Sequence, residues 1–304
     1  MKGTIMIKAK IQITLPLLLL LVMFTAALVT PSVSADEIKA KEAFNAGVEY
    51  KNNGDEMGAV ASFKMAIKEN PNYTDAYINL GTIYFGQKAY DNALEQFKLA
   101  TEKDPKSVDA FSNLGKVQYV LRRYAEAEVS FKSAIAIQPT ADLYKDLGKV
   151  YYKKKNYSEV IDAFGKCHEM NGGDYTTYYM VGKSQQKLGN DTKAIEALKQ
   201  SIKAENNYLS HSLIGQIYLS QEKYGPAASS FKSALKVDPK QYRAAYNYAV
   251  AVETSNPENY AENIKNWEAF IKVAKNNPKA KKDVNIAQSH VDDLKDAMEK
   301  SNLQ

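Results

Sequence analysis

Four asparagines recur in one phase along the chain: Asn45, Asn79 and Asn113 stand 34 residues apart, and Asn247 falls in the same register further on. An asparagine amide carries both a donor and an acceptor, so a row of them suits the backbone of an extended peptide without reading its side chains. Each such bond contributes about 1 kcal/mol net, so several in series are needed. A second set carries charge. Lys116, Lys149 and Lys183 recur at intervals of 33 and 34 residues, and Lys145, Lys153 and Lys187 flank them. Gathered on one face, these lysines would prefer an acidic segment or a C-terminal carboxylate, and the attraction would weaken with salt.

Residue types that do covalent or metal chemistry are sparse. His168, His211 and His290 are far apart and match no metal-ligand spacing of the H-E-x-x-H kind. Cys167 and His168 are adjacent, and neighbours on a helix point apart. As the only cysteine, Cys167 excludes an intrachain disulfide. No Gly-rich phosphate loop, G-x-S-x-G elbow or zinc-type cysteine pair occurs. The reading is a non-enzyme with no cofactor and no metal.

The elements that would position the asparagines and lysines show best in Ala76 to Pro105, AYINLGTIYFGQKAYDNALEQFKLATEKDP. Tyr77, Leu80, Gly81 and Tyr84 fall on one helical stripe and Ala93, Phe97 and Ala100 on another. A polar break over 87–91 separates them. A helix pair this small cannot bury its own apolar face and needs copies of itself. The chain supplies them. Equivalents of the Leu-Gly pair fall at Ala46-Gly47, Leu80-Gly81, Leu114-Gly115, Leu147-Gly148, Val181-Gly182, Ile214-Gly215 and Tyr248-Ala249, with spacings of 33 or 34. Phe63, Phe97, Phe131, Phe164 and Phe231 recur in the second helix, with Leu198 in the fifth copy. Pro71, Pro105, Pro139 and Pro239 close units, while Gly172-Gly173 takes that place in the fourth.

This pattern resembles the tetratricopeptide repeat (TPR) family over roughly residues 40–278. The resemblance implies an all-α fold, a right-handed α-solenoid of about seven TPR-like helix-turn-helix repeats. They fall near 40–73, 74–107, 108–140, 141–174, 175–207, 208–241 and 242–278. Residues 279–304 then form a C-terminal capping helix and tail, with Val284, Ala287, Val291, Leu294 and Met298 on its apolar face. The resemblance also places the asparagines on the side of the first helix that faces the concave groove, similar to the asparagine ladder of the O-GlcNAc transferase repeats. The ladder is interrupted at Asp146, Met180 and Leu213. The lysines resemble the carboxylate clamp of chaperone-binding TPR domains only loosely, because the order of residues differs.

Residues 1–35 have a different composition. Lys2, Lys8 and Lys10 precede an apolar run over 15–29, and Val33-Ser34-Ala35 fits a signal-peptidase site cut after Ala35. An uncleaved membrane anchor is the alternative. Three of the 40 basic residues lie there, which leaves 37 against 35 acidic ones, too near neutral for a nucleic-acid binder. The expectation is an exported scaffold, periplasmic or secreted, whose groove over Asn45, Asn79, Asn113, Asn247, Lys116, Lys145, Lys149, Lys153, Lys183 and Lys187 holds a protein or peptide segment. The alternative function is a structural subunit of an envelope complex, acting by self-association or by positioning an enzyme or secretion machine.

Overall fold

The computed structural model describes residues 34–303, which form fifteen α-helices and one 3-10 turn with no strand among them. Fourteen helices come in pairs: α1 (Ala35–Asn52) with α2 (Glu56–Glu69), α3 (Thr74–Gly86) with α4 (Tyr90–Lys103), and α5 (Val108–Val120) with α6 (Tyr124–Ile137). They continue as α7 (Ala141–Lys154) with α8 (Tyr157–Glu169), α9 (Tyr175–Lys187) with α10 (Asp191–Ala204), α11 (Tyr208–Ser220) with α12 (Tyr224–Val237), and α13 (Tyr242–Ser255) with α14 (Tyr260–Ala274). A 3-10 turn, Pro278–Ala280, leads into α15 (Lys281–Asn302). The architecture is an all-α solenoid of helix pairs. Of the leader over 1–35, residues 1–33 lie outside the described residues. No helix among the described residues is long and apolar enough to cross a membrane.

The chain divides into two compact units between Ala76 and Tyr77. In the first, Phe44 packs on Phe63 and edge-on to Tyr73, with ring centres 5.5 and 5.0 Å apart. Ala40, Ala59, Phe63 and Ala66 are buried.

In the second unit, one packing rule repeats. The second-helix aromatic packs against a first-helix position that has no side chain. A Cβ at Gly81, Gly115, Gly148 or Gly215 would stand 2.7 to 2.9 Å from the ring of Phe97, Phe131, Phe164 or Phe231. Each ring is almost wholly buried, worth ~2–3 kcal/mol of hydrophobic burial apiece. Helix starts are fixed locally. Ser107, Thr140, Asp174 and Asn207 accept from the backbone N–H three residues on, at 2.9 to 3.3 Å, each meeting one of the otherwise orphaned donors. The second helices α4, α6 and α8 open on a tyrosine whose ring meets an aromatic at the end of the first helix: Phe85–Tyr90, Tyr119–Tyr124 and Tyr152–Tyr157.

The looser middle repeats have specific causes. Gly172 replaces the closing proline because α7 passes close by: a Cβ there would stand 2.4 Å from the Cβ of Ala141. The fifth repeat exchanges apolar packing for a buried polar cluster. Ser201 donates to the Tyr175 carbonyl at 2.7 Å, and Ser210 donates to Ser201 at 2.8 Å. Asn207 donates to Ser201 at 3.2 Å, so the buried oxygens are satisfied.

Candidate functional site

First helices of neighbouring repeats touch one another from α5 through α13, while second helices pack mainly on first helices. The first helices therefore line the inner face of this unit, and the side chains projecting from them form its groove. Helices in contact lie ~8–10 Å apart, so side chains from adjacent repeats can share one ligand.

A cavity of about 370 Å³ between α5 and α7 is lined by Lys116 with Asp109, Asp142 and Asp146, and two more lie on this face. The smaller, about 190 Å³, is lined by Phe85, Lys116, Tyr119, Val120, Phe131, Asp146 and Lys149. The larger is a cleft of about 450 Å³ between α9, α11 and α13. Tyr179, Tyr208, Leu209 and Phe231 supply its apolar lining. Gln186, Ser212, Gln216, Gln241 and Asn247 supply amides and a hydroxyl, and Lys183, Lys187 and Arg243 its charge. No carboxylate lines it. That volume lies inside the ~300–1,000 Å³ range of ligand sites.

The sequence-derived residues divide accordingly. Lys183, Lys187 and Asn247 come together in the large cleft, and Lys116 and Lys149 in the small cavity. Asn45 is exposed on α1, in the first unit. Asn79 and Asn113 are half-buried on α3 and α5 and line neither cavity. Lys153 is exposed at the end of α7.

Two lysines of the expected positive stripe over repeats three to five, Lys149 and Lys145, are paired with carboxylates. Lys149 Nζ sits 2.8 Å from Asp146, which occupies the phase where other repeats carry asparagine. Lys145 is paired with Asp174, the N-cap of α9, and this bond raises its pKa above that of an ordinary lysine. Further along, Lys183, Lys187 and Arg243 gather in one cleft, and none of them has a carboxylate partner among the described residues. Lys183 is held between two rings, with Nζ 5.8 Å from the centres of both Tyr152 and Tyr179. Burial works against its charge, but the two phenolic groups outweigh this and leave its pKa raised. It is a cation at any physiological pH.

Arg243, Tyr179, Tyr208 and Gln216 are the cleft residues that repeat reading misses. Gln216 stands 33 residues after Lys183, so extending the lysine series by one repeat finds it. Arg243 had only its rarity as a signal, being one of Arg122, Arg123 and Arg243.

Cys167 and His168 are packing residues. The Cys167 thiol is buried and donates to the Gly172 carbonyl at 3.2 Å, and burial raises its pKa. The His168 ring stacks on Tyr178 at 3.9 Å with Nε2 3.0 Å from Thr177 Oγ1, and burial lowers its pKa. Among the described residues no group of three or more His, Cys, Asp or Glu is placed to hold a metal.

Sequence models of the tetratricopeptide repeat match residues 175–208 and 212–269, and a model described as TPR repeat matches 81–121. The chain is a tetratricopeptide repeat protein. Solved structures agree on the tetratricopeptide repeat fold. The C-terminal part of a TPR repeat-containing protein from Cytophaga hutchinsonii superposes with a TM-score of 0.65 at 18% identity, over 78% of this chain and 97% of that one. Pseudomonas aeruginosa PilF gives 0.54 at 18% identity, over 71% and 97%. MamA gives 0.52 at 24% identity, over 55% and 92%. At these identities the likeness is one of fold. No curated protein sequence matches the chain. Tetratricopeptide repeat stacks are protein-interaction scaffolds, and this chain has that architecture.

Proposed function

We propose that the chain is a non-catalytic scaffold that holds an extended segment of a protein partner in the inner groove of its first helices. The cleft between α9, α11 and α13 carries this reading. It offers amide donors and acceptors, aromatic surface and fixed cations, with no nucleophile–base pair to act on what it holds. An extended segment suits it, because an unpaired peptide backbone presents a donor and an acceptor per residue to the glutamine and asparagine amides. The segment 1–35, with its basic start, apolar run and small residues before Asp36, supports a place outside the cytoplasmic membrane, as a periplasmic or secreted protein.

A photo-cross-linking amino acid at Ser212, in the groove, is compared with one at Ser229, exposed on α12. A groove binder captures its partner from Ser212 and not from Ser229. Capture from Ser229 alone, or a product at twice the mass of the chain, replaces the groove reading with convex-face docking or self-association. Fractionation with and without residues 1–35 tests the location.

A further inference from the structure

We infer that the cleft between α9, α11 and α13 selects acidic side chains within an internal stretch of the partner; this rests on the groove-binding function proposed above. Lys183 and Lys187 project from α9, and Arg243 projects from α13, two first helices further on. At ~8–10 Å per helix contact, α9 and α13 stand about 16–20 Å apart. One carboxylate meets both groups only at the limit of their reach. An extended chain advances ~3.3 Å per residue, so five or six residues cross the cleft and bring separate carboxylates to each side.

Three features make this an anion site rather than a solvated basic face. The cleft lining contains no carboxylate, whereas the preceding stretch of groove balances Lys145 and Lys149 with Asp174 and Asp146. Lys183 is half-buried between two tyrosine rings, so its position is fixed before a ligand arrives. Tyr208 and Asn247 line the same space and can pack on, and hydrogen-bond to, the peptide between the acids. The partly enclosed wall weakens solvent screening, which makes each charge pair stronger than on an open surface.

The test uses the full chain and a fluorescein-labelled peptide of about ten alternating Glu and Ser residues, acetylated and amidated at its ends, long enough to cross the cleft. Two comparison peptides have Gln for Glu, one amidated and one with a free C-terminal carboxylate. Fluorescence anisotropy at low salt should show the Glu peptide binding at least about tenfold tighter than either Gln peptide, and losing that advantage as salt is raised. Lys183→Gln with Arg243→Gln should weaken the Glu peptide about tenfold, while Lys145→Gln with Lys153→Gln should leave it within about twofold. Arg243→Gln alone, at an exposed position, serves if the double variant is unstable. Equal binding of Glu and Gln peptides, or an unchanged Arg243 variant, overturns the inference. Binding of the free-carboxylate Gln peptide as tightly as the Glu peptide replaces internal acids with a chain terminus. If Ser212 still captures a partner while the Glu peptide fails, the groove function stands and the acidic preference alone falls.

Discussion

The ring of Phe131 occupies the space that a side chain at Gly115 would need: a Cβ there would stand 2.8 Å from Cε1. Gly165 also lies inside a helix, yet nothing stands within 4 Å of its missing Cβ. The two glycines should respond oppositely to alanine. Gly115→Ala overpacks a fixed ring and should cost about 1–3 kcal/mol, lowering Tm by several degrees. Gly165→Ala removes only backbone entropy and should gain about 0.5–1 kcal/mol. Thermal unfolding of both variants decides this, and a stabilised Gly115 variant would show that the ring can move aside.

Ser184 is fully buried in α9 and its hydroxyl has no hydrogen-bond partner. The corresponding positions in neighbouring repeats are Ile83, Val117, Val150 and Ile217, all buried. An unsatisfied buried hydroxyl costs about 1–3 kcal/mol. Ser184→Ala should therefore raise Tm by a few degrees, and Ser184→Val should raise it at least as far if the slot has the volume its counterparts fill. A lower Tm for the alanine variant would mean the hydroxyl finds a partner in solution.

The repeat is legible in the sequence because Gly and Phe must coincide at every helix crossing, and a ring against a missing side chain tolerates few substitutes. Leu198 against Gly182 is the one exchange in the second unit before the last repeat. The turn between paired helices is far less legible. Gly54, Lys88, Arg122, Lys155, Gly189 and Glu222 all adopt positive φ at the repeat period. Most of them are not glycine, because the backbone bonds that close the turn, such as Ala89 to the Tyr84 carbonyl at 2.9 Å, hold any residue there. The groove is legible only as a list of lysines. The pairing of Lys145 depends on Asp174, 29 residues away in sequence, and the cation that shares the cleft with Lys183 is an arginine two repeats beyond it.

Asp174 caps α9, bonds Thr177 N–H at 2.9 Å and pairs with Lys145. Burial alone would raise its pKa, but Lys145 and the Thr177 donors outweigh this and hold it below the usual carboxylate range. With the folded pKa below the unfolded value of ~3.9, its contribution is complete above the unfolded pKa and is lost as pH falls through the folded one. Acid unfolding of Asp174→Asn should thus differ from wild type most above about pH 4 and converge with it at lower pH. A constant offset down to the lowest pH would assign the loss to capping geometry, not charge.

Glu253, near the end of α13, accepts from Trp267 Nε1 at 2.7 Å and lies 2.9 Å from His290 Nε2 on α15. The Trp267 and His290 rings meet edge-on at 5.4 Å. This carboxylate ties the cap to the last repeat, because its two bonds reach α14 and α15 together. Glu253→Ala removes both and should cost about 1–3 kcal/mol. Solenoid repeats stabilise chiefly their neighbours, so the loss should stay local. Amide exchange should quicken across α15 and α14 while α5 to α8 keep wild-type protection. Trp267 is the chain's only tryptophan, so its emission reports the same event and should shift to the red. Glu253→Gln keeps an acceptor for the indole and should fall between the two. Faster exchange spread evenly over all repeats would show instead that the cap stabilises the stack as one cooperative body.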